Sequence, residues 1–220
     1  MENTDQTLSR KNAGVGCDIY GRDRLRVALV VREILNELGL AWYLESGTLL
    51  GALRNQKFIP HDDDFDIAFL MYTQDFWADL TELYQQVKER LPVPLDCRIV
   101  NTYTDKIEVY DPAFGKFTLQ HPSYKGADFH CVTVDLQPMV VNEETATVHS
   151  PYRGKPFELR WDLDSVLPLS TIILEGEEFL CPSDPKRFLE GEYGGIEPGA
   201  IYDEITGKYR SPEIRESEKC

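Results

Sequence analysis

Positive charge is what this chain is short of. Its 23 lysines and arginines face 38 aspartates and glutamates, a net charge of −15. A nucleic-acid binder is expected to carry a basic footprint, so this balance argues against non-specific binding to nucleic acid. A phosphorylated small molecule is not excluded, because local charge and a bound metal decide that case. Paired cysteines are also missing. The 5 cysteines, Cys17, Cys97, Cys131, Cys181 and Cys220, are scattered, with no C-x-x-C spacing. That pattern suggests neither a zinc site nor a disulfide framework, and it fits a reducing compartment. The opening Met-Glu-Asn-Thr-Asp-Gln lacks the basic and apolar regions of a signal peptide. No apolar run is long enough to span a bilayer. Glu2 excludes myristoylation, and a cysteine as the last residue is no prenylation box. The expectation is a cytoplasmic protein without a transmembrane segment. Internal repeats and low-complexity tracts are absent too. What remains is ordinary for a globular chain with a sizeable core: 220 residues, 42% hydrophobic and 28% charged.

One stretch organises the rest. Residues 42–71 begin with an apolar run, Trp42 to Leu44. A small-residue turn follows, Ser46-Gly47-Thr48, then two basic residues, Arg54 and Lys57. The stretch closes on Asp62-Asp63-Asp64-Phe65-Asp66 running into Ile67-Ala68-Phe69-Leu70. Like charges about 4 Å apart repel by roughly 1 kcal/mol in water and by more where water is excluded. A fold that feeds four such acids into a buried strand needs a counter-charge, and a divalent cation with oxygen ligands suits it.

Around this stretch the periodicities predict mixed structure. Leu25, Ala28, Leu29, Val31, Ile34, Leu35 and Leu38 recur at helical spacing, a helix over about 21–38 stopped by Gly39. Residues 1–20 read as a loose arm. A short helix is expected over Leu49–Arg54, after the Ser-Gly-Thr turn. Asp64–Met71 reads as a central strand, with Asp64 and Asp66 on one face. Thr73–Leu91 reads as a second amphipathic helix, with Phe76, Leu80, Leu83, Val87 and Leu91 inward. Strands are expected at 96–103 and 106–110 around a turn at Thr104-Asp105, and at 129–136, closed by Pro138. Residues 111–127 read as turn-rich, 139–161 as short strands and 162–171 as irregular. A strand near 177–181 and a helix from Asp184-Pro185 to Tyr193 follow. From 197 to 220 the chain is polar and reads as a tail.

The chemistry follows from these placements. Asp64 and Asp66, two apart on a strand, can share cations, and Asp62 extends the spacing; Asp63 points the other way. Gly47 and Thr48 offer backbone N–H groups to a phosphate if a helix begins there. A third acid is needed from another strand, and Asp135, ending an apolar run, is the candidate. Arg54 and Lys57 are candidate phosphate contacts; the alternative is surface charge or a partner for the acids. His130 falls on the strand face opposite Asp135 and reads as a packed or exposed histidine. His121 and His149 carry no local pattern.

The Gly-Thr turn, the Asp-x-Asp strand and a later acid together are similar to the nucleotidyltransferase (polymerase β-like) pattern. The wider wording is more specific. S-G-T-L-L-G-A-L-R, F-I-P-H-D-D-D-F-D-I and V-D-L-Q-P at 134–138 resemble the LicD/fukutin family, as do L-P-L at 167–169, E-G-E-E-F-L-C-P at 175–182 and F-L-E-G-E-Y-G at 188–194. The resemblance implies an α+β nucleotidyltransferase fold over 21–196, with a mixed central sheet flanked by helices. It implies Asp62, Asp64, Asp66 and Asp135 as catalytic acids, with Asp64, Asp66 and Asp135 binding Mg²⁺ or Mn²⁺. Ser46, Gly47, Thr48, Arg54 and Lys57 would bind substrate. The implied reaction transfers a phosphorylated alcohol, of the phosphocholine or ribitol-phosphate type, from a CDP-linked donor to a glycan hydroxyl, releasing CMP. Asp62 or Asp135 would take the hydroxyl proton. The alternatives are an ordinary nucleotidyltransferase releasing pyrophosphate, or an inactive nucleotide-binding scaffold. One departure is His61, where the family often has Trp.

Overall fold

The computed structural model describes residues 14–101, 105–118, 128–151, 159–203 and 208–211. The chain runs α1 (Cys17–Glu37), β1 (Trp42–Leu44), α2 (Ser46–Asn55), β2 (Asp66–Met71), α3 (Phe76–Arg90), β3 (Asp96–Asn101) and β4 (Asp105–Tyr110). It continues with β5 (Lys116–Thr118), β6 (Asp128–His130), β7 (Thr133–Asn142), β8 (Thr147–His149), β9 (Arg160–Asp162) and α4 (Leu163–Val166). The last elements are β10 (Ser170–Leu174), β11 (Glu177–Cys181), α5 (Pro185–Tyr193), β12 (Ile201–Asp203) and β13 (Lys208–Arg210). This is an α+β architecture with a mixed sheet of order β1-β2-β7-β4-β3; β8 joins β7 and β9 joins β8. β2 and β7 pair in parallel, whereas β1–β2, β4–β7 and β3–β4 pair antiparallel. Among the described residues no helix is long and apolar enough to cross a membrane.

The sheet has two unlike faces. Ile67, Phe69, Ile107, Val109, Val134 and Leu136 are buried and join the core with the stripes of α1 (Val27, Ala28, Val31, Ile34, Leu35) and α3 (Leu80, Leu83, Val87). Side chains alternate along a strand, so Asp66, Asp135, Glu108 and Lys106 stand on the other face. The stripes of α1 and α3 fall at the spacing the sequence predicts. Asp75 and Asp184 cap the third and fifth helices by accepting from Ala78 N (3.2 Å) and Arg187 N (3.0 Å). Gly39, at φ +68°, ends the first helix as expected.

Several boundaries differ from the sequence reading. The first helix begins at Cys17, inside the stretch read as an arm, because its first amides find remote acceptors. Cys17 N donates to Asp62 O (2.8 Å) and Asp18 N to Pro60 O (3.0 Å). Arg24, fully buried on this helix, fixes the same corner. Its guanidinium donates to Val15 O (2.5 Å), Cys131 O (2.6 Å) and Asp62 O (3.2 Å). The Ser-Gly-Thr segment is the first turn of α2, not a turn before it. β2 starts at Asp66, so Asp64 precedes the strand.

The strand read over 129–136 is two strands. β6 pairs with β5, and β7 runs straight through Pro138. β4 accompanies β7 over Thr133–Leu136 and β8 over Val140–Asn142. Pro138 falls between these partners, where its missing N–H breaks no ladder. The stretch read as irregular, 162–171, contains α4 and the start of β10. The stretch read as a tail contains the β12–β13 hairpin, held by Gly195 N donating to Tyr209 O (2.6 Å). The expected turn residue Thr104, His121, the arm over 1–13 and the tail over 212–220 lie outside the described residues.

Candidate active site

The site forms where β1 hands the chain to α2, beside the N-terminal ends of β2 and β7. Glu45 precedes the helix in an extended conformation. Ser46 follows at φ +49°, a left-handed backbone that costs a serine about 1–2 kcal/mol. Its Oγ donates to Glu192 Oε1 (2.9 Å), a buried contact across to the fifth helix. Thr48 does not face outward. Its Oγ1 accepts from Asp66 N (2.9 Å) and staples the first turn of the helix to the first residue of β2. Gly47 is where the Asp62 side chain comes closest. A Cβ there would overlap Asp62 Oδ2 and lie 3.0 Å from Cγ. The Asp62 carboxylate therefore rests on the positive end of the helix dipole.

Asp66 and Asp135 are register partners on the parallel pair β2–β7, and Asp135 N donates to Phe65 O (2.8 Å). Asp64, just upstream, completes the group. Asp64, Asp66 and Asp135 are all buried, and each offers a carboxylate oxygen within 4.8 Å of the others. Asp62, Asp63 and Asp64 form a second such group, so Asp63, read from the sequence as pointing away, belongs to the acidic region. Burial pushes the Asp66 carboxyl well above its ordinary range, and the neighbouring Asp64, Asp135 and Asp62 add to this against the pull of Lys106. Burial also pushes Asp135 up to about 6, with Lys106 pulling down and Asp64 and Glu108 pushing up. Three buried carboxylates are costly unless positive charge compensates them.

The donor set suits a hard divalent cation, Mg²⁺ or Mn²⁺, since every ligand is a carboxylate oxygen. A second observation agrees. Asp135 Oδ1 is buried and, among the described residues, has no hydrogen-bond partner, while Oδ2 is ion-paired with Lys106.

Sequence reasoning missed several residues here. Lys106 is buried and sits on β4 beside the acids. Glu108, the register partner of Asp135 on that strand, is held by Arg98 and by His130 Nδ1 (3.0 Å). His130 stacks on Tyr110 at 3.5 Å between centroids, so it is a packed histidine. The alternation Lys106-Ile107-Glu108-Val109-Tyr110 was the available signal, because it puts the two charged residues on one strand face. Glu192 lies inside the wording F-L-E-G-E-Y-G at 188–194, but its contact with Ser46 exists only in the tertiary fold.

A cavity of about 280 Å³ opens beside the first turn of the second helix. Gly47, His61, Asp62, Tyr193, Glu197 and Tyr209 are among the residues that line it. Arg54 lines it too, but its guanidinium is committed. Nε donates to Ile196 O (2.9 Å), and Nη2 to Ile196 O (2.5 Å) and Glu197 O (3.3 Å). Lys57 is not brought to the acids. It is exposed and paired with Glu175 at 2.9 Å, on a larger open groove of about 740 Å³ beside the start of the first helix, which the acid cluster does not line.

A profile of the family described as LicD/FKTN/FKRP, nucleotidyltransferase domain, matches residues 39–184. An uncharacterized protein of Rickettsia typhi is 36% identical over 59 residues, 27% of this chain and 19% of that protein. Another, from Rickettsia prowazekii, is 50% identical over 38 residues, 17% of this chain and 14% of that protein. The matched stretches thus span a fifth or less of these relatives. Among solved structures, one of ANT(2")-Ia in complex with adenylyl-2"-tobramycin is 13% identical, with a TM-score of 0.39 over 72% of this chain and 70% of that one.

Proposed function

The chain belongs to the LicD/FKTN/FKRP nucleotidyltransferase-domain family, and from that premise we propose that it is a divalent-metal-dependent transferase. Its donor would be a CDP-linked phosphorylated alcohol, and its acceptor a glycan hydroxyl. The observation that carries the reading is the convergence of the Asp64, Asp66 and Asp135 carboxylates, with Asp135 Oδ1 buried and without a hydrogen-bond partner among the described residues.

In this reading Asp64, Asp66 and Asp135 hold Mg²⁺ or Mn²⁺. The cation, when bound, would neutralise the donor pyrophosphate and the charge that develops on it. The first-turn amides of the second helix, around Gly47, face the donor phosphates. Thr48 contributes by fixing this turn to β2. The acceptor oxygen bonds to the distal phosphorus, the bond from that phosphorus to the CMP oxygen breaks, and CMP leaves. Asp62 takes the acceptor's proton. It borders the cavity, which Asp135 does not line, so Asp62 is the better placed of the two candidates. The cavity would hold the rest of a substrate, with Arg54 bracing the backbone of Ile196 and Glu197 rather than gripping phosphate.

The test is product analysis. The full chain is incubated with Mn²⁺ or Mg²⁺ and CDP-choline, CDP-ribitol, CDP-glycerol or CTP, with a glycan acceptor. Release of CMP that disappears in folded Asp64→Ala and Asp66→Ala variants supports the proposal. Release of pyrophosphate instead makes the protein an ordinary nucleotidyltransferase. Absence of any nucleotide-dependent thermal shift, with or without metal, makes it a non-catalytic domain.

A further inference from the structure

Lys106 occupies an unusual place for a lysine. It is 3% exposed, on a central strand, and its ammonium contacts a carboxylate that is 2% exposed. Lysine is almost never buried to this degree without a partner, and here the partner is Asp135. The other charged residues on this sheet face are arranged differently. Glu108 is satisfied by Arg98 and His130, so it does not compete for Lys106 through those contacts. Asp135 uses one oxygen for the ammonium and leaves the other without a hydrogen-bond partner among the described residues. One cationic side chain thus sits at the edge of a group of three buried carboxylates.

We infer that Lys106 is the built-in counter-cation of the acid cluster: it lets the cluster fold without metal, and it presents Asp135 to an incoming cation through Oδ1 alone. The physical argument is one of charge. Removing one partner of a buried ion pair strands the other and destabilises strongly, whereas replacing both partners is close to neutral. A dication arriving beside the pair must also work against the ammonium, at short range and in poor screening. Lys106 therefore lowers metal affinity while it frees folding from metal. The metal part of this inference rests on the reading of Asp64, Asp66 and Asp135 as ligands. The folding part does not. Lys106 is a positioning residue here; no contact with substrate is invoked.

The experiment compares the full-length wild type, Lys106→Met and the double variant Lys106→Met/Asp135→Asn. Thermal unfolding is followed in EDTA and in Mn²⁺, and Mn²⁺ binding by electron paramagnetic resonance. In EDTA, the single variant should melt well below wild type, and the double variant should regain most of the loss. In Mn²⁺, the single variant should show an upshift larger than the wild type's by about 5 °C or more, and bind Mn²⁺ roughly tenfold more tightly. If Lys106→Met does not fold in EDTA, rescue by Mn²⁺ or by the second substitution supports the inference equally. Equal loss of stability in EDTA and Mn²⁺ with no recovery in the double variant overturns it. So does weaker Mn²⁺ binding by the single variant. Absence of Mn²⁺ binding by every protein, with recovery in the double variant, would instead remove the metal reading and leave the counter-cation role standing.

Discussion

The carboxylate of Asp62 lies so close over the backbone of Gly47 that a single methyl group on that glycine would overlap Oδ2. The glycine is required by a neighbour, not by a turn. Gly47→Ala meets the far end of one side chain, and alanine suits a helix better than glycine by about 1 kcal/mol. The variant should therefore keep or slightly raise Tm while Asp62 is displaced. A shift of about 1 Å in a reacting group can cost on the order of a hundredfold in turnover. Calorimetry and CMP release on the same preparation check this. A drop in Tm with turnover intact would refute it.

Thr48 supports the acids from behind. Its hydroxyl receives the amide of Asp66 (2.9 Å) in a buried setting. Thr48→Val is nearly isosteric and strands that N–H, at a cost of roughly 1–3 kcal/mol. Chemical denaturation should show the loss, and Thr48→Ser should recover most of it. Equal stability of the valine and serine variants would mean that the bond contributes nothing.

Arg54 and Lys57 should part company. Arg54→Met removes the donors that hold Ile196 O and Glu197 O and should raise KM for the substrate in the cavity roughly tenfold, with a smaller change in kcat. Lys57→Met breaks an exposed pair with Glu175 worth about 0–1 kcal/mol and should leave both constants unchanged. Steady-state kinetics on the two variants decide. An equal effect of both substitutions would return Lys57 to the substrate site.

Glu108 gives the fold an acid limit. Burial alone would raise its carboxyl, but the contacts from His130 and Arg98 outweigh burial and hold it below its ordinary value of 4.5. The folded state thus binds this proton more weakly than the unfolded chain does. The stability it contributes is present above the ordinary value and is lost as pH falls through the depressed one. Glu108→Gln should be less stable than wild type at pH 7, and the gap should narrow as pH drops below about 4.5. Urea melts at several pH values measure it. A gap independent of pH would show that charge on Glu108 does not matter.

Much of the architecture was legible in the sequence because it is written in local periodicity. The stripe of Ala28, Val31, Ile34 and Leu35 and the apolar run after Asp66 are short-range patterns. Asp135 became legible through the family wording at 134–138 rather than through spacing. What escaped is set by remote contacts. The alternation around Lys106 says only that it shares a strand face with Glu108; that this face meets the acids is set by the pairing of β4 with β7. The early start of the first helix depends on carbonyls at Pro60 and Asp62. Thr48 reads in the sequence as a backbone N–H offered to a phosphate; that its hydroxyl accepts from the amide of Asp66 depends on where β2 begins, which no local pattern gives.

Arg24 carries a last consequence, about where the protein can be divided. The stretch shared with the family is 39–184, and it holds every acid of the cluster. Yet the guanidinium that gathers Asp62 O and Cys131 O comes from residue 24, and the carboxylate that holds Ser46 comes from residue 192. A chain trimmed to the shared stretch would keep the reactive groups and lose two of the braces that orient them. The acids can be expected to work only in a chain that reaches beyond the matched stretch at both ends.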